Sequence, residues 1–117
     1  MGHVAALAAF TGGQEWLDQV LQYLTANRDF LAHTLKEKLP EICMTKMEGT
    51  YLAWLDCRKA GIPGNPFEFF LREGKIAFND GSEFGKGGQG FVRLNFACSR
   101  KTLTEALDRM VFAMGKR

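Results

Sequence analysis

A chain of 117 residues with 15 Lys+Arg against 13 Asp+Glu, 46% hydrophobic and 24% charged, has the make-up of one ordinary globular domain. The net charge of +2 is spread over mixed signs, which leaves no basic stripe of the kind a phosphate backbone demands and excludes nucleic acid as the expected partner. No membrane association is expected either, because apolar stretches such as Val4 to Phe10 fall far short of the roughly 20 residues that span a bilayer.

The first ten residues are Ala-rich and nearly uncharged, and Thr11-Gly12-Gly13 reads as a helix end before a new start. From Gln14 to Leu39, Leu17, Val20, Leu21, Leu24, Leu31 and Leu35 recur at three- and four-residue steps, which predicts a long helix stopped near Lys38 or Leu39 by Pro40. The period then falls to two. Ile42 to Met47 and Tyr51 to Cys57 read as strands joined by a tight turn at Glu48-Gly49-Thr50. Asn65 caps a short helix that opens on Pro66, turns Phe67, Phe70 and Leu71 inward and ends at Gly74. Lys75 to Phe78 is expected as a short strand, Asn79 to Gly90 as a loop, and Phe91 to Phe96 as a strong strand. Ser99 caps a closing helix whose buried stripe is Leu103, Ala106, Leu107, Met110, Val111 and Met114. The order predicts an α+β fold: a small sheet of three to four strands covered by helices, with a long N-terminal helix.

Few residues carry an obvious chemistry. Cys43, Cys57 and Cys98 form no Cys-x-x-Cys pair and read as buried free thiols of a reducing cytoplasm, and His3 and His33 have no ligand cluster, so no metal site is expected. Gly85 to Gly90 matches G-x-G-x-x-G, but these glycines lead into a strand instead of a helix, so they read as a loop that must pass close to something. The lysines, at 36, 38, 46, 59, 75, 86, 101 and 116, fall on solvent faces, in loops or at ends, where no apolar pocket would depress a pKa. Serines lack a His and an acid in any triad pattern. Arg93 stands out, because a mid-strand arginine between Phe91 and Asn95 needs either a structural acid or an anionic ligand that its planar fork can grip.

Taken in order, Glu48-Gly49-Thr50-Tyr51-Leu52-Ala53-Trp54-Leu55-Asp56-Cys57-Arg58, Asn79-Asp80-Gly81-Ser82-Glu83-Phe84-Gly85 and Gly90-Phe91-Val92-Arg93-Leu94-Asn95-Phe96-Ala97-Cys98 closely resemble one family. They resemble the C-terminal small domain of a fold-type I pyridoxal-phosphate enzyme, aminotransferase-like, of the cystathionine β-lyase (C–S lyase) branch. The resemblance takes in Glu15-Trp16-Leu17, Tyr23-Leu24 and Asn27-Arg28 on the long helix and covers essentially the whole chain. It implies a small domain, residues 13–117, that closes over a cofactor held by a much larger domain, with residues 1–12 the remnant of a helix of that missing domain. It also implies that Arg93 binds the α-carboxylate of an amino-acid substrate. The Gly81 to Gly85 loop would line the substrate entrance, with Phe84 as an apolar wall and Gly81 and Asn79 beside it.

The family's catalytic lysine and its cofactor-binding residues belong to the large domain. No catalytic or cofactor-binding residue is therefore expected in this chain, which alone should be inactive and bind no pyridoxal phosphate. The parent would be a cytoplasmic, homodimeric aminotransferase or C–S lyase of amino-acid metabolism. The competing reading is a stand-alone, non-catalytic α+β module that binds a protein or a small acidic ligand.

Overall fold

The computed structural model describes residues 1–117. Two helices come first, α1 (Gly2–Gly12) and α2 (Gln14–Lys38), parted only by Gly13, whose N–H donates to the Ala9 carbonyl at 2.9 Å. The first half of α2 stays largely uncovered, and its second half buries Asn27, Leu31, Thr34 and Leu35. The molecule is accordingly elongated, 50 Å on its long axis against 29 and 24 Å.

Four strands follow in one antiparallel sheet of order β1-β2-β4-β3: β1 (Cys43–Met44), β2 (Leu52–Asp56), β3 (Asn79–Asp80) and β4 (Phe91–Asn95). The central β2–β4 pair sets Ala53 opposite Leu94, Trp54 opposite Arg93 and Leu55 opposite Val92. Alternation along each strand then sorts the two faces. Ala53, Leu55, Val92 and Leu94 are buried, while Trp54, Phe91 and Arg93 are half-buried on the reverse face. The buried face joins Leu31 and Leu35 of α2, Phe69 of α3 (Pro66–Phe69) and Leu103, Leu107 and Met110 of α4 (Arg100–Met114) in a single core. Each such side chain contributes roughly 1.5–3 kcal/mol when fully removed from water.

Both expected helix caps are present. Asn65 accepts from Phe67 N–H at 2.7 Å with Pro66 at the first position of α3, and Ser99 accepts from Thr102 N–H at 3.2 Å at the head of α4. The α+β class with a small helix-covered sheet is as the periodicity predicts.

Several local expectations are corrected. The strand expected over Lys75 to Phe78 does not form: α3 opens into a wide π-type turn over Phe70–Gly74, Lys75 turns left-handed at φ 55°, and pairing begins only at Asn79. Phe70 is buried and Phe67 packs half-buried against the core as expected, but Phe69 is buried in place of Leu71, which is exposed. Of Ile42 to Met47 only Cys43 and Met44 form ladder pairs, and Thr45 N–H adds one last bond to the Trp54 carbonyl at 3.1 Å. In α4 Ala113 is buried, whereas Ala106 and Val111 are half-exposed. Only Cys57 of the three thiols is buried; Cys98 is intermediate and Cys43 exposed.

Candidate functional site

The half-buried face of the sheet carries a row of aromatic rings and guanidinium groups, and it follows from strand register. Trp54 on β2 stacks on Phe91 of β4 with centroids 5.1 Å apart and planes 14° from parallel, and meets Phe84 edge-on at 5.9 Å. The Arg58 guanidinium lies over the Phe91 ring at 4.8 Å, and that of Arg93 over the Phe84 ring at 4.7 Å. The row therefore runs Arg58, Phe91, Trp54, Phe84, Arg93, with a cation at each end.

The two ends differ in charge. Arg58 is neutralised within the chain: Asp56 accepts from its Nε at 2.9 Å and its Nη2 at 2.7 Å. The hydrogen bonds from Arg58 hold the Asp56 carboxyl below its ordinary range against the opposing effect of partial burial. Arg93 has no carboxylate at ion-pair distance, and its Nε donates instead to the neutral Asn79 Oδ1 at 3.2 Å. Arg28, Arg72, Arg109 and Arg117 each pair with an acid. Arg100 also lacks one, but its Nε reaches the buried Asn27 Oδ1 at 3.0 Å and its guanidinium covers the Phe30 ring at 4.4 Å. Arg93 is thus the uncompensated cation of the half-buried face.

The segment after β3 holds Phe84 in place. Asp80 caps a 3-10 turn over Gly81–Phe84 by accepting from Ser82 N–H at 3.0 Å, and accepts from Asn65 Nδ2 at 2.9 Å. Burial pushes the Asp80 carboxyl up, but these hydrogen bonds outweigh it and leave the group below its ordinary value. Gly81 is buried where a Cβ would collide with the carbonyl oxygens of Gly88 and Phe91, and a Cβ on Gly88 would strike the Gly81 carbonyl. This is the close approach that the glycine-rich loop implied, made to another loop instead of to a phosphate. The structure therefore gathers Arg93, Phe84 and Asn79 at one point, while Gly81 serves close packing against Gly88 and Phe91.

Sequence reasoning passed over two things here. Trp54 reads from the sequence only as a core or half-buried aromatic; it is half-buried, and the β2–β4 register that sets it opposite Arg93 is what brings it to the site. Asn27, fully buried, donates to the carbonyls of Phe96 at 3.1 Å and Cys98 at 2.9 Å, clamping α2 to the exit of β4. Its position three and four residues from Leu24 and Leu31 puts it on the apolar stripe of α2, which was the available signal.

Nucleophilic and cofactor-linking groups are a poor match to this chain. Burial, with a smaller push from the Asp56 charge, raises the Cys57 thiol to about 12, and burial raises Cys98 as well. Every lysine is exposed. An open groove of about 440 Å³ lined by Trp16, Gln19, Val20, Tyr23, Leu24 and Tyr51 is mostly apolar.

Residues 2–110 match the family model for aminotransferase class I and II. The chain is 44% identical over 110 residues to the cystathionine β-lyase of Corynebacterium glutamicum, aligning 94% of itself with 29% of that protein. It is 35% identical over 108 residues to the cystathionine β-lyase PatB of Bacillus subtilis, aligning 92% of itself with 28% of that protein. Among solved structures, cystalysin of Treponema denticola, which contains a pyridoxal 5'-phosphate cofactor, superposes with a TM-score of 0.85 at 30% identity over 92% of this chain and 28% of that one. The chain thus spans less than a third of the length of these relatives. A family match over nearly its whole length, together with the shared small antiparallel sheet under helices, means that the chain belongs to the class I and II aminotransferase family.

Proposed function

We propose that this chain serves as the C-terminal small domain of a pyridoxal-phosphate-dependent aminotransferase or C–S lyase acting on amino acids, and that Arg93 binds the substrate's α-carboxylate. The observation that carries the reading is the uncompensated Arg93 guanidinium, backed by the Phe84 ring on a half-buried face whose other arginine is neutralised. A fork of planar N–H donors matches two carboxylate oxygens at once, and the adjoining rings keep water from one side of it. Phe84 forms the apolar wall beside the bound carboxylate, and Gly81 and Asn79 complete its surroundings. Residues 13–117 are the small domain and residues 1–12 the end of a helix belonging to a larger domain. That domain is the partner that would hold the cofactor, in a cytoplasmic homodimer, a setting that three unpaired thiols suit.

The residues of this chain do not fit the cofactor itself. Its attachment needs a desolvated amine and a phosphate cradle, and the lysines here are all exposed while the glycine-rich loop is packed against Gly81. When bound by the larger domain, the cofactor supplies an electron sink for chemistry at the substrate's Cα. The contribution of this chain is binding and orientation: a carboxylate fixed at two points by Arg93 sets the direction of the remaining bonds at that carbon.

The test is steady-state kinetics and thermal melting of Arg93→Ala and Arg93→Lys in the protein that carries the cofactor domain. Loss of the two-point contact should lower kcat/KM by roughly 30-fold to several thousand-fold with little change in melting temperature, since the guanidinium lies outside the core. The lysine variant should be nearly as impaired, because an ammonium supplies charge without the fork. Near-normal kinetics with a large drop in melting temperature would make Arg93 a structural residue.

A further inference from the structure

We propose that Asn79 is the positioning residue of the Arg93 site: it occupies the guanidinium's Nε and, being neutral, leaves the outward Nη1/Nη2 edge and the full positive charge for a carboxylate. The inference rests on the reading that Arg93 binds a carboxylate. The antiparallel register sets Asn79 of β3 directly opposite Arg93 of β4, and the Asn79 Oδ1 accepts the Nε–H at 3.2 Å. A guanidinium offers a carboxylate a two-pronged side edge, Nε with one Nη, and a two-pronged end, Nη1 with Nη2. With Nε engaged, the side edge is spoiled and the end remains.

The chain contains its own control. Arg58 and Arg93 are built alike, each laid over a phenyl ring, at 4.8 Å on Phe91 and 4.7 Å on Phe84, and each with its Nε held by a short acceptor side chain. The acceptor at Arg58 is the Asp56 carboxylate, which takes Nε and Nη2 together and consumes both the side edge and the charge. At Arg93 the acceptor is an amide, which fixes the orientation and neutralises nothing. A single change of oxygen for nitrogen chemistry thus separates a satisfied ion pair from an open anion receptor. Asn79→Asp should turn the second into a copy of the first.

The experiment follows the arginine side-chain N–H signals of the full 117-residue chain by NMR while sodium acetate is added. In the unaltered protein the Arg93 Nε–H should exchange slowly with water, its Nη signals should shift with acetate, and Arg58 should not respond. In Asn79→Asp the Nε–H should stay protected while the apparent acetate affinity falls on the order of tenfold or more, the cost of facing an already paired cation. Asn79→Ala should instead speed Nε–H exchange severalfold and let acetate shift the Nε signal too. Asp56→Asn should make Arg58 newly responsive. A freely exchanging Arg93 Nε–H, or an Asn79→Asp chain that takes acetate as well as the unaltered one, overturns the positioning role alone. A protected Nε–H with no acetate response at Arg93 overturns the carboxylate reading, and the inference with it.

Discussion

Helices α1 and α4 are both rich in apolar residues, yet α4 buries Leu103, Leu107, Met110, Ala113 and Met114 while α1 buries nothing. The difference lies in arrangement. In α4 the apolar positions, Phe112 excepted, form one stripe, with Lys101, Glu105, Asp108 and Arg109 exposed on the rest of the surface, and the Ser99 side chain satisfies an N-terminal N–H. In α1 Val4, Leu7 and Phe10 share the helix with alanines on every side, the first turn has no side-chain cap, and Phe10 is 92% exposed. Hydrophobic content by itself therefore does not place a helix in a core. A stripe that matches a neighbouring face does, and a helix apolar all round presents surface that calls for cover from more than one side.

The strongest way to test this contrast is to remove one leucine from each helix. Leu107→Ala should destabilise the chain by about 2–5 kcal/mol through lost burial and the cavity left against the sheet, whereas Leu7→Ala, on an uncovered surface, should stay within about 0.5 kcal/mol. Chemical denaturation of the two variants reads both numbers. Equal effects would mean that α1 packs on the body after all.

A smaller loss is expected at the polar tie between the body and α2. Asn27→Ala leaves the Phe96 and Cys98 carbonyls and the Arg100 Nε without their partner, at a cost of about 1–3 kcal/mol. Asn27→Leu should not rescue it, since the stranded groups are polar; a more stable leucine variant would show that water replaces the amide there. Smaller again is Ser99→Ala, which removes the cap of α4 for about 0.5–2 kcal/mol and should lower its midpoint without altering the denaturant slope. The uncapped α1 has no counterpart to lose.

How much of this was legible in the sequence depended on whether the deciding force was local. The span of α2, the Pro40 stop and the Asn65 and Ser99 caps follow from periodicity and from side chains bonding their own neighbours, and they stand as read. The run Lys75 to Phe78 alternates like a strand, but its pairing is decided by the wide turn at Phe70–Gly74, which delays the ladder until Asn79. The site divides in the same way. Arg93 was visible because a mid-strand cation is anomalous in any register. Asn79 and Phe84 entered beside it only through the family resemblance; that it lacks an acid, and that Trp54 lies opposite it, depends on β4 lying between β2 and β3, an order that no local pattern encodes.

The least effect on stability, and the sharpest test of the comparison, should come from deleting residues 1–12. Nothing in α1 is buried, α2 begins afresh at Gln14, and no residue before Leu24 packs into or against the core, so the melting transition should move by no more than about 0.5 kcal/mol. Solution behaviour should change far more. Val4, Leu7 and Phe10 on α1 and Trp16 just beyond it, 68% exposed, are all large apolar side chains left in water, and exposed apolar surface of this kind drives association. The full chain should therefore show a sedimentation coefficient that rises with concentration, and the shortened chain a weaker rise, with the remainder traceable to Trp16 by a Trp16→Gln variant. A large fall in melting temperature on deletion would show that α1 supports the body through contacts other than burial. Identical sedimentation of both chains as clean monomers would show that an all-round apolar helix of this length is tolerated in water, and the contrast with α4 would then concern stability alone.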